Sequence, residues 1–144
     1  MNNVILSLNF MYCMERLATQ IYLTQRGAFS NKELVQQLTD ASANEHEHVE
    51  KLRKQIKQLD GSVYPLGFIF QSAGCVLGLI TRILGKRTLF KSDVFVEKRA
   101  VKDYAGFLKS VPFDAATAAM LRGIIADEEV HITNWQKASE RKKY

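Results

Sequence analysis

Apolar residues recur at helical spacing along the first part of the chain, which predicts two long helices there. In residues 2–25, one stripe contains Ile5, Leu8, Met11, Glu15, Ala18 and Tyr22. A capping box at residues 30–33 opens a second helix, whose inward stripe contains Leu34, Leu38, Ala41, Glu45, His48, Leu52 and Ile56. Side chains three or four positions apart share one helix face, so each stripe is typical of a helix packed against a core.

Two further amphipathic helices are predicted in the last third of the sequence. The third begins near Ser92 or Asp93 and runs to about Ser110, and Pro112 and Asp114 separate it from the fourth. The inward positions of the fourth helix are Leu121, Ile124, Ile125, Glu128, His131 and Trp135. Four such helices in 144 residues predict an all-α, four-helix bundle, with residues 1–144 forming a single domain.

Residues 63–88, between the second and third predicted helices, have a different composition. From Leu66 to Thr81 there is no charged side chain, and basic residues follow at positions 82, 86, 87 and 91. The uncharged run is short for a membrane-spanning helix. We expect an additional apolar crossover helix. It either makes peripheral contact with an anionic membrane through residues 63–91, packs over the bundle, or seals a homodimer through Gly74 and Gly78.

Charge and cysteine content limit the partners and the cellular compartment that the sequence predicts. The net charge is +5, with basic clusters at residues 51–57, 82–91, 98–102 and 141–143, but no aromatic–basic motif accompanies them, so no nucleic-acid partner is predicted. The start of the chain lacks the features of a signal peptide. Cys13 and Cys75 are isolated in sequence, which excludes a cysteine-rich metal site and favours reduced thiols. We expect a cytoplasmic protein, peripheral at the inner face of the membrane if the crossover helix binds lipid.

One polar pattern occurs twice on the predicted helices. It consists of a glutamate, a tyrosine seven residues later, and a Glu-x-x-His motif 30 or 31 residues after the first glutamate. The first copy is Glu15, Tyr22, Glu45 and His48, and the second is Glu97, Tyr104, Glu128 and His131. The chain contains only three histidines, and the third, His46, lies off the motif's face. We expect His46, Glu47, Glu50, Asp127 and Glu129 to face solvent.

The repeated pattern has the residue types that a two-metal centre needs. Residues i and i+3 share a helix face, so the Glu and His of each motif can reach the same ion or adjacent ions. Four carboxylates largely neutralise two divalent cations, and mixed oxygen and nitrogen ligands suit iron or manganese. The same set, two glutamates and two Glu-x-x-His motifs on four helices, defines the dimetal carboxylate bundles.

The sequence resembles the demethoxyubiquinone hydroxylase family of the ferritin-like superfamily, from about residue 9 to residue 135. The resemblance lies in Glu15 with Ile21-Tyr22, Glu45-x-x-His48, the series Pro65, Gly74, Leu77, Gly78, Thr81, Leu84 and Gly85, Val96-Glu97, and Asp127-Glu128-Glu129-x-His131. Rubrerythrins and ferritins share the metal ligands but lack the glycine-rich apolar crossover. One departure is Tyr12-Cys13-Met14 before Glu15, where the family usually has His-Ala-Gly.

The resemblance implies a ferritin-like bundle and a di-iron monooxygenase that activates dioxygen and hydroxylates a quinone or similar apolar aromatic. The catalytic and metal-binding residues it implies are Glu15, Glu45, His48, Glu97, Glu128 and His131. Glu45 and Glu128 would each act near their own histidine, and Glu15 and Glu97 would complete or bridge the pair. The cofactor would be two Fe ions, with Mn or Zn as other occupants. Tyr22 and Tyr104 would either bond a ligand on the facing helix or fill the core.

Two other functions remain open at this point. One is a ferritin- or rubrerythrin-like protein that oxidises iron or removes peroxide without an organic substrate. The other is a metal-stabilised bundle that serves as a binding module. The apolar crossover favours the monooxygenase, because an enzyme acting on a lipid-like substrate must open to it. The partners of that enzyme would be dioxygen, the apolar quinone-like substrate and a reductant that the sequence does not identify.

Overall fold

The computed structural model describes residues 2–140, and these form five α-helices and one short 3-10 turn. The helices are α1 (Asn2–Gln25), α2 (Lys32–Gln58), α3 (Gly67–Leu84), α4 (Lys86–Ser110) and α5 (Ala115–Glu140), with the turn at Arg26–Ala28. Helices α1, α2, α4 and α5 form a bundle. In sequence α3 connects α2 to α4, and in space it packs across α1. The predicted four-helix bundle with a crossover helix is therefore confirmed. The basic residues 141–143 lie outside the described residues.

The bundle is built from two helical hairpins, α1–α2 and α4–α5, each joined by a short loop. Two apolar clusters fill its interior. One contains Leu8, Met11, Leu52, Ile56, Leu121 and Ile124, and the other contains Tyr22, Leu34, Leu38, Phe90 and Trp135. Between these clusters the sequence stripes place buried carboxylates and imidazoles instead of apolar groups. The two clusters hold the hairpins together on either side of this polar layer.

Local chemistry fixes the helix ends, and two of them differ from the prediction. The N-cap of α2 is Asn31, whose side chain accepts a hydrogen bond from Leu34 N at 3.1 Å, so Ser30 is not the cap. Helix α4 begins at Lys86, six or seven residues before the predicted start, because a single residue, Gly85, with φ of +89°, separates it from α3. Asp114 caps α5 by accepting from Thr117 N at 2.8 Å.

Two glycines bring α3 into direct contact with α1. A Cβ atom on Gly74 would overlap the carbonyl oxygen of Leu17, and one on Gly78 would lie 2.9 Å from the carbonyl oxygen of Ile21. Both glycines are buried, whereas most of the helix is exposed. They serve a contact within the chain, so these two glycines are not free to seal a homodimer, and a homodimer through another surface stays a prediction.

The outer face of α3 is an exposed apolar surface. It includes Phe68, Val76, Leu79, Ile80 and Ile83, the last with 77% of its surface exposed. By length and composition alone, α3 is the one described helix that could cross a membrane. Arg82 lies at its end, but its guanidinium donates to the carbonyl oxygen of Gly27 at 2.9 Å. Arg82 therefore binds a carbonyl group in the turn that follows α1, and it also contributes positive charge to this surface.

Candidate metal centre

The six predicted ligand residues come together at mid-height in the bundle. Each of the four bundle helices contributes, since α1 provides Glu15, α4 provides Glu97, and α2 and α5 each provide a Glu and a His. They form two groups whose ligand atoms lie within 4.8 Å of one another, namely Glu15, Glu45, His48 and Glu128, and Glu45, Glu97, Glu128 and His131. All six are buried, with His131 the most accessible at 7%. The geometry supports the residue set that the repeated motif predicts.

Glu45 and Glu128 belong to both groups and lie between the two histidines. Glu128 Oε1 is 3.2 Å from His48 Nδ1, and its Oε2 is 3.3 Å from His131 Nδ1. Glu45 likewise lies 3.2 Å from His48 Nδ1 and 2.9 Å from His131 Nδ1. Glu15 and Glu97 each belong to one group only. The shared position therefore falls to the Glu-x-x-His glutamates, and of the two roles expected for Glu15 and Glu97 this geometry favours completing one ligand group over bridging the pair.

Two tyrosines connect the hairpins at this level. The hydroxyl of Tyr22 on α1 donates to Glu97 Oε1 on α4, and the hydroxyl of Tyr104 on α4 donates to Glu15 Oε1 on α1. Both tyrosines are almost completely buried. The structure shows both predicted roles, because each hydroxyl bonds a glutamate on the facing helix and each ring also lies in an apolar cluster. Each tyrosine thus fixes the carboxylate orientation of the opposite hairpin.

Burial and mutual repulsion shift the pKa values of these side chains. Burial, reinforced by the charge of Glu128, raises the pKa of Glu15, and burial with the charge of Glu45 raises the pKa of Glu97. Burial alone would also raise the pKa of Glu45, but the favourable interaction of its carboxylate with the two nearby histidines outweighs it and holds that pKa at about 2. Four carboxylates this close cannot all stay ionised without positive charge between them.

Several ligand atoms have no hydrogen-bond partner among the described residues. They are Glu45 Oε1, both carboxylate oxygens of Glu128, and His131 Nδ1. His131 Nδ1 lies 2.9 Å from Glu45 Oε1, but without the alignment of a hydrogen bond. Buried polar atoms without partners are costly, and a cation bound to them removes that cost. Oxygen and imidazole donors suit iron or manganese, so the residues fit two such ions.

Asp127 contacts His48, and the sequence did not lead us to expect this contact. Its Oδ2 lies 3.0 Å from His48 Nε2, although 43% of its side chain is exposed. The expectation that Asp127 simply faces solvent is therefore wrong. Metal-binding histidines usually use the second ring nitrogen in this way, and an acidic residue beside Glu128 was a signal available in the sequence. The corresponding residue before Glu45 is Asn44, so the two halves differ here. His46, Glu47 and Glu129 are exposed as expected.

A second buried polar cluster lies next to the centre and was also missed. The Gln25 amide donates to Asp93 Oδ1 at 2.8 Å and to Thr81 Oγ1 at 3.0 Å, joining α1, α4 and α3. Asp93 is 1% exposed, and burial raises its pKa to about 8 despite the hydrogen bond from Gln25. The charge of Asp93 contributes to the raised pKa of Tyr22, so this carboxyl lies within electrostatic range of the tyrosine. No spacing in the sequence marked it.

A narrow cavity reaches the centre from between α1 and α4. Its lining is mainly apolar and includes Phe10, Met11, Met14, Ala18, Val96 and Ala100, together with Glu15 and Glu97. The cavity volume is about 20 Å³, close to that of one water molecule. No residue of α3 is among its lining. The carboxylates of the two lone glutamates are thus approached through an apolar path that is nearly closed.

Paired carboxylate–histidine groups inside a four-helix bundle define the class of dimetal carboxylate proteins. The sequence pattern of one family, ubiquinone biosynthesis protein COQ7, matches residues 13–143. The chain belongs to this family. The match confirms the resemblance to demethoxyubiquinone hydroxylases and the ferritin-like class of the bundle. No curated protein matches the sequence.

Proposed function

We propose that this protein is a di-iron monooxygenase that hydroxylates a quinone ring in ubiquinone biosynthesis. The observation that supports it best is the pair of buried ligand groups sharing Glu45 and Glu128, in a chain of the COQ7 family. Glu15 and His48 would complete the ligands of one iron, and Glu97 and His131 those of the other. When bound, two ferrous ions would supply the two electrons that, with two protons, let one oxygen atom of O₂ enter the ring as a hydroxyl and the other leave as water, and the reductant would restore the ferrous state.

The protein's own residues prepare the site for this chemistry. Tyr22 and Tyr104 hold Glu97 and Glu15 in fixed orientations through their hydroxyls, and Asp127 orients the ring of His48. A carboxylate would be able to bind an ion through one oxygen or through both, and would change between the two as the charge of the ions changes. This change needs little movement of the helices. The apolar clusters above and below exclude water from the ligand atoms, and this strengthens every electrostatic interaction among them.

The cavity between α1 and α4 is the proposed route for the ring. Its apolar lining suits a quinone, but about 20 Å³ admits no aromatic ring. Entry therefore requires movement of side chains, and the unbranched Met11 and Met14 are suited to this because methionine adapts readily to a new shape. Helix α3 does not line this route, because it packs on α1 and contributes no residue to the cavity.

The exposed face of α3 is the proposed site of peripheral membrane contact. Phe68, Leu79 and Ile83 are apolar and exposed, and basic residues at positions 87 and 91 follow. Flotation with anionic vesicles tests this contact. Ile83→Glu should reduce binding to the vesicles, whereas Val130→Glu, an equally apolar-to-acidic change on α5, should leave it unaltered. Equal binding by both variants would contradict a lipid-facing α3.

The proposed reaction is tested with iron-loaded protein, a chemical reductant, oxygen and a panel of quinones lacking one ring hydroxyl. Mass spectrometry should find a product heavier by one oxygen atom, and ¹⁸O₂ should supply that atom. Glu97→Ala should form no product, and Glu129→Ala, which removes an exposed carboxylate from α5, should behave as wild type. Iron-loaded protein that consumes oxygen without altering any quinone would contradict the proposal.

The narrow cavity favours one second candidate. Dioxygen and hydrogen peroxide fit a path of about 20 Å³ without any movement of the protein, whereas an aromatic ring does not. A ferritin- or rubrerythrin-like function, the oxidation of iron or removal of peroxide, therefore remains the alternative. Stoichiometric loss of peroxide with reduced protein, together with no hydroxylated quinone, would favour it.

A further inference from the structure

A second cleft, which several polar residues line, lies on the side of the centre opposite the apolar cavity. It lies between α2 and α5, has a volume of about 350 Å³, and is lined by Asp40, Asn44, Asp127, His131, Asn134 and Trp135 among others. The two openings differ in size and in polarity. The larger one meets the histidine side of the centre, and the smaller one meets Glu15 and Glu97.

The charge of this cleft is opposite to that of the protein. The chain has a net charge of +5, yet the charged residues lining the cleft are Asp40 and Asp127, with no lysine or arginine among them. Asp40 is exposed at the rim, and its Oδ1 accepts only a neutral amide, that of Gln36, at 2.7 Å. A concave acidic surface on a basic protein concentrates cations locally.

The cleft also borders the ligand residues. His131 lines it and is the most accessible of the six ligand residues, and its Nδ1 has no hydrogen-bond partner. Trp135 lines it as well, and its buried indole N–H has no partner in the described part of the chain. Asp127 spans the distance from the cleft to His48 Nε2. These residues place the cleft directly beside the buried centre.

We infer that the α2–α5 cleft is the entry port through which hydrated divalent cations reach the centre. Asp40 and Asp127 attract the ion, Asn44 and Asn134 offer neutral oxygens as it sheds water, and His131 receives it. This inference rests on the dimetal centre of the proposed function. It gives the protein two separate approaches, one acidic for metal and one apolar for substrate.

The test measures the rate of metal uptake by chelator-stripped full-length protein, with Co²⁺ as the probe and its visible absorption as the signal. At low ionic strength, Asp40→Asn should slow uptake by about two- to tenfold and Asp40→Lys by more. Asn134→Asp, which adds a carboxylate to the cleft, should accelerate it. Added salt should reduce all these differences because it screens the charges. The final Co²⁺ content should be the same in every variant.

Asp103→Asn is the matched control, because Asp103 lines the apolar cavity on the other side and the substitution removes the same charge. It should leave the rate unchanged. Uptake that slows in Asp103→Asn, or that is equal in wild type and Asp40→Lys, would overturn the port. A wild-type protein that binds no Co²⁺ would instead contradict the dimetal centre itself, so the two failures are distinguishable.

Discussion

At the scale of single residues, the centre depends on side-chain contacts that reach from each hairpin to the other. Tyr22 of the first hairpin holds Glu97 of the second, and Tyr104 of the second holds Glu15 of the first. Glu45 and Glu128 each lie within reach of both histidines. No ligand group is therefore complete within one hairpin, and a change at one residue affects the geometry of both halves.

Removing one lone glutamate tests the ligand set. We expect Glu97→Ala to lower the bound metal from about two ions per chain to one or fewer, because it deletes a ligand and leaves the second ion's charge unbalanced. The apolar clusters remain, so circular dichroism should show an unchanged helix content. Metal analysis after gel filtration gives the stoichiometry. Glu129→Ala should retain both ions, and full metal content in Glu97→Ala would show that Glu97 is not a ligand.

The tyrosine hydroxyls have a separate role from the ligands themselves. We expect Tyr22→Phe to weaken metal binding by about ten- to a hundredfold, because Glu97 loses the donor that orients its carboxylate. The fold should persist, since the phenyl ring still fills the core beside Trp135. Competition with a chelator of known affinity measures the change. Tyr64→Phe, an exposed position, is the control, and equal affinities for both variants would contradict the orienting role.

How far the sequence predicts the site also becomes clear at this scale. The spacing of Glu and His identified all six converging residues, because their positions follow from the helical period alone. Asp127 and Asp93 were missed for different reasons. Asp127 reaches across to His48 on another helix, and its direction depends on how α2 and α5 pack. Asp93 is buried beside Gln25 of α1, which also bonds Thr81 of α3, and this packing of three helices leaves no spacing signal in the sequence.

At the scale of helices, the amphipathic stripes predicted the four bundle helices well. The start of α4 was misplaced, since residues 86–91 have no clear stripe and are helical because Leu89 and Phe90 are buried in the core. The position of α3 could not be deduced either. An apolar helix with small residues fits a membrane, a second copy or the bundle equally well, and only the packing of Gly74 and Gly78 on α1 decides among these surfaces.

The contact between α3 and α1 predicts that alanine substitutions at two glycines change the free energy of unfolding in opposite directions. Gly74→Ala should lower the free energy of unfolding by about 1–3 kcal/mol, because the new Cβ overlaps the backbone of α1. Gly123→Ala on α5 meets nothing within 4 Å and should raise it by about 0.5–1 kcal/mol through helix propensity. Urea denaturation of both variants gives the comparison. A Gly74→Ala protein as stable as Gly123→Ala would mean that the helices are not in close contact.

At the scale of the whole molecule, stability should depend on pH through Asp93. The folded protein holds the proton on this carboxyl up to about pH 8, whereas the unfolded chain releases it near the ordinary pKa of 3.8. Between these values the folded state binds more protons than the unfolded state. The free energy of unfolding contributed by Asp93 therefore decreases as pH rises through this window.

The variant Asp93→Asn removes this dependence while keeping an oxygen to accept from Gln25. We expect it to gain stability relative to wild type between pH 5 and pH 8, by roughly 1–3 kcal/mol at the upper end. Denaturation with a chelator present at each pH measures the difference, and the other titrating groups cancel because both proteins share them. Asp40→Asn, an exposed change, should show no such trend. Parallel pH profiles for wild type and Asp93→Asn would contradict a neutral buried acid.

The close packing of Gly74 and Gly78 also makes α1 and α3 a single mechanical unit. Backbone touches backbone there, so no flexible side chain can absorb a displacement of one helix relative to the other. Glu15 lies on the opposite side of α1 and faces the centre, and Met14 and Ala18 of the same helix line the apolar cavity. We therefore expect a displacement of α3 at its exposed face to move α1 with it, and so to move the wall of the cavity that must widen.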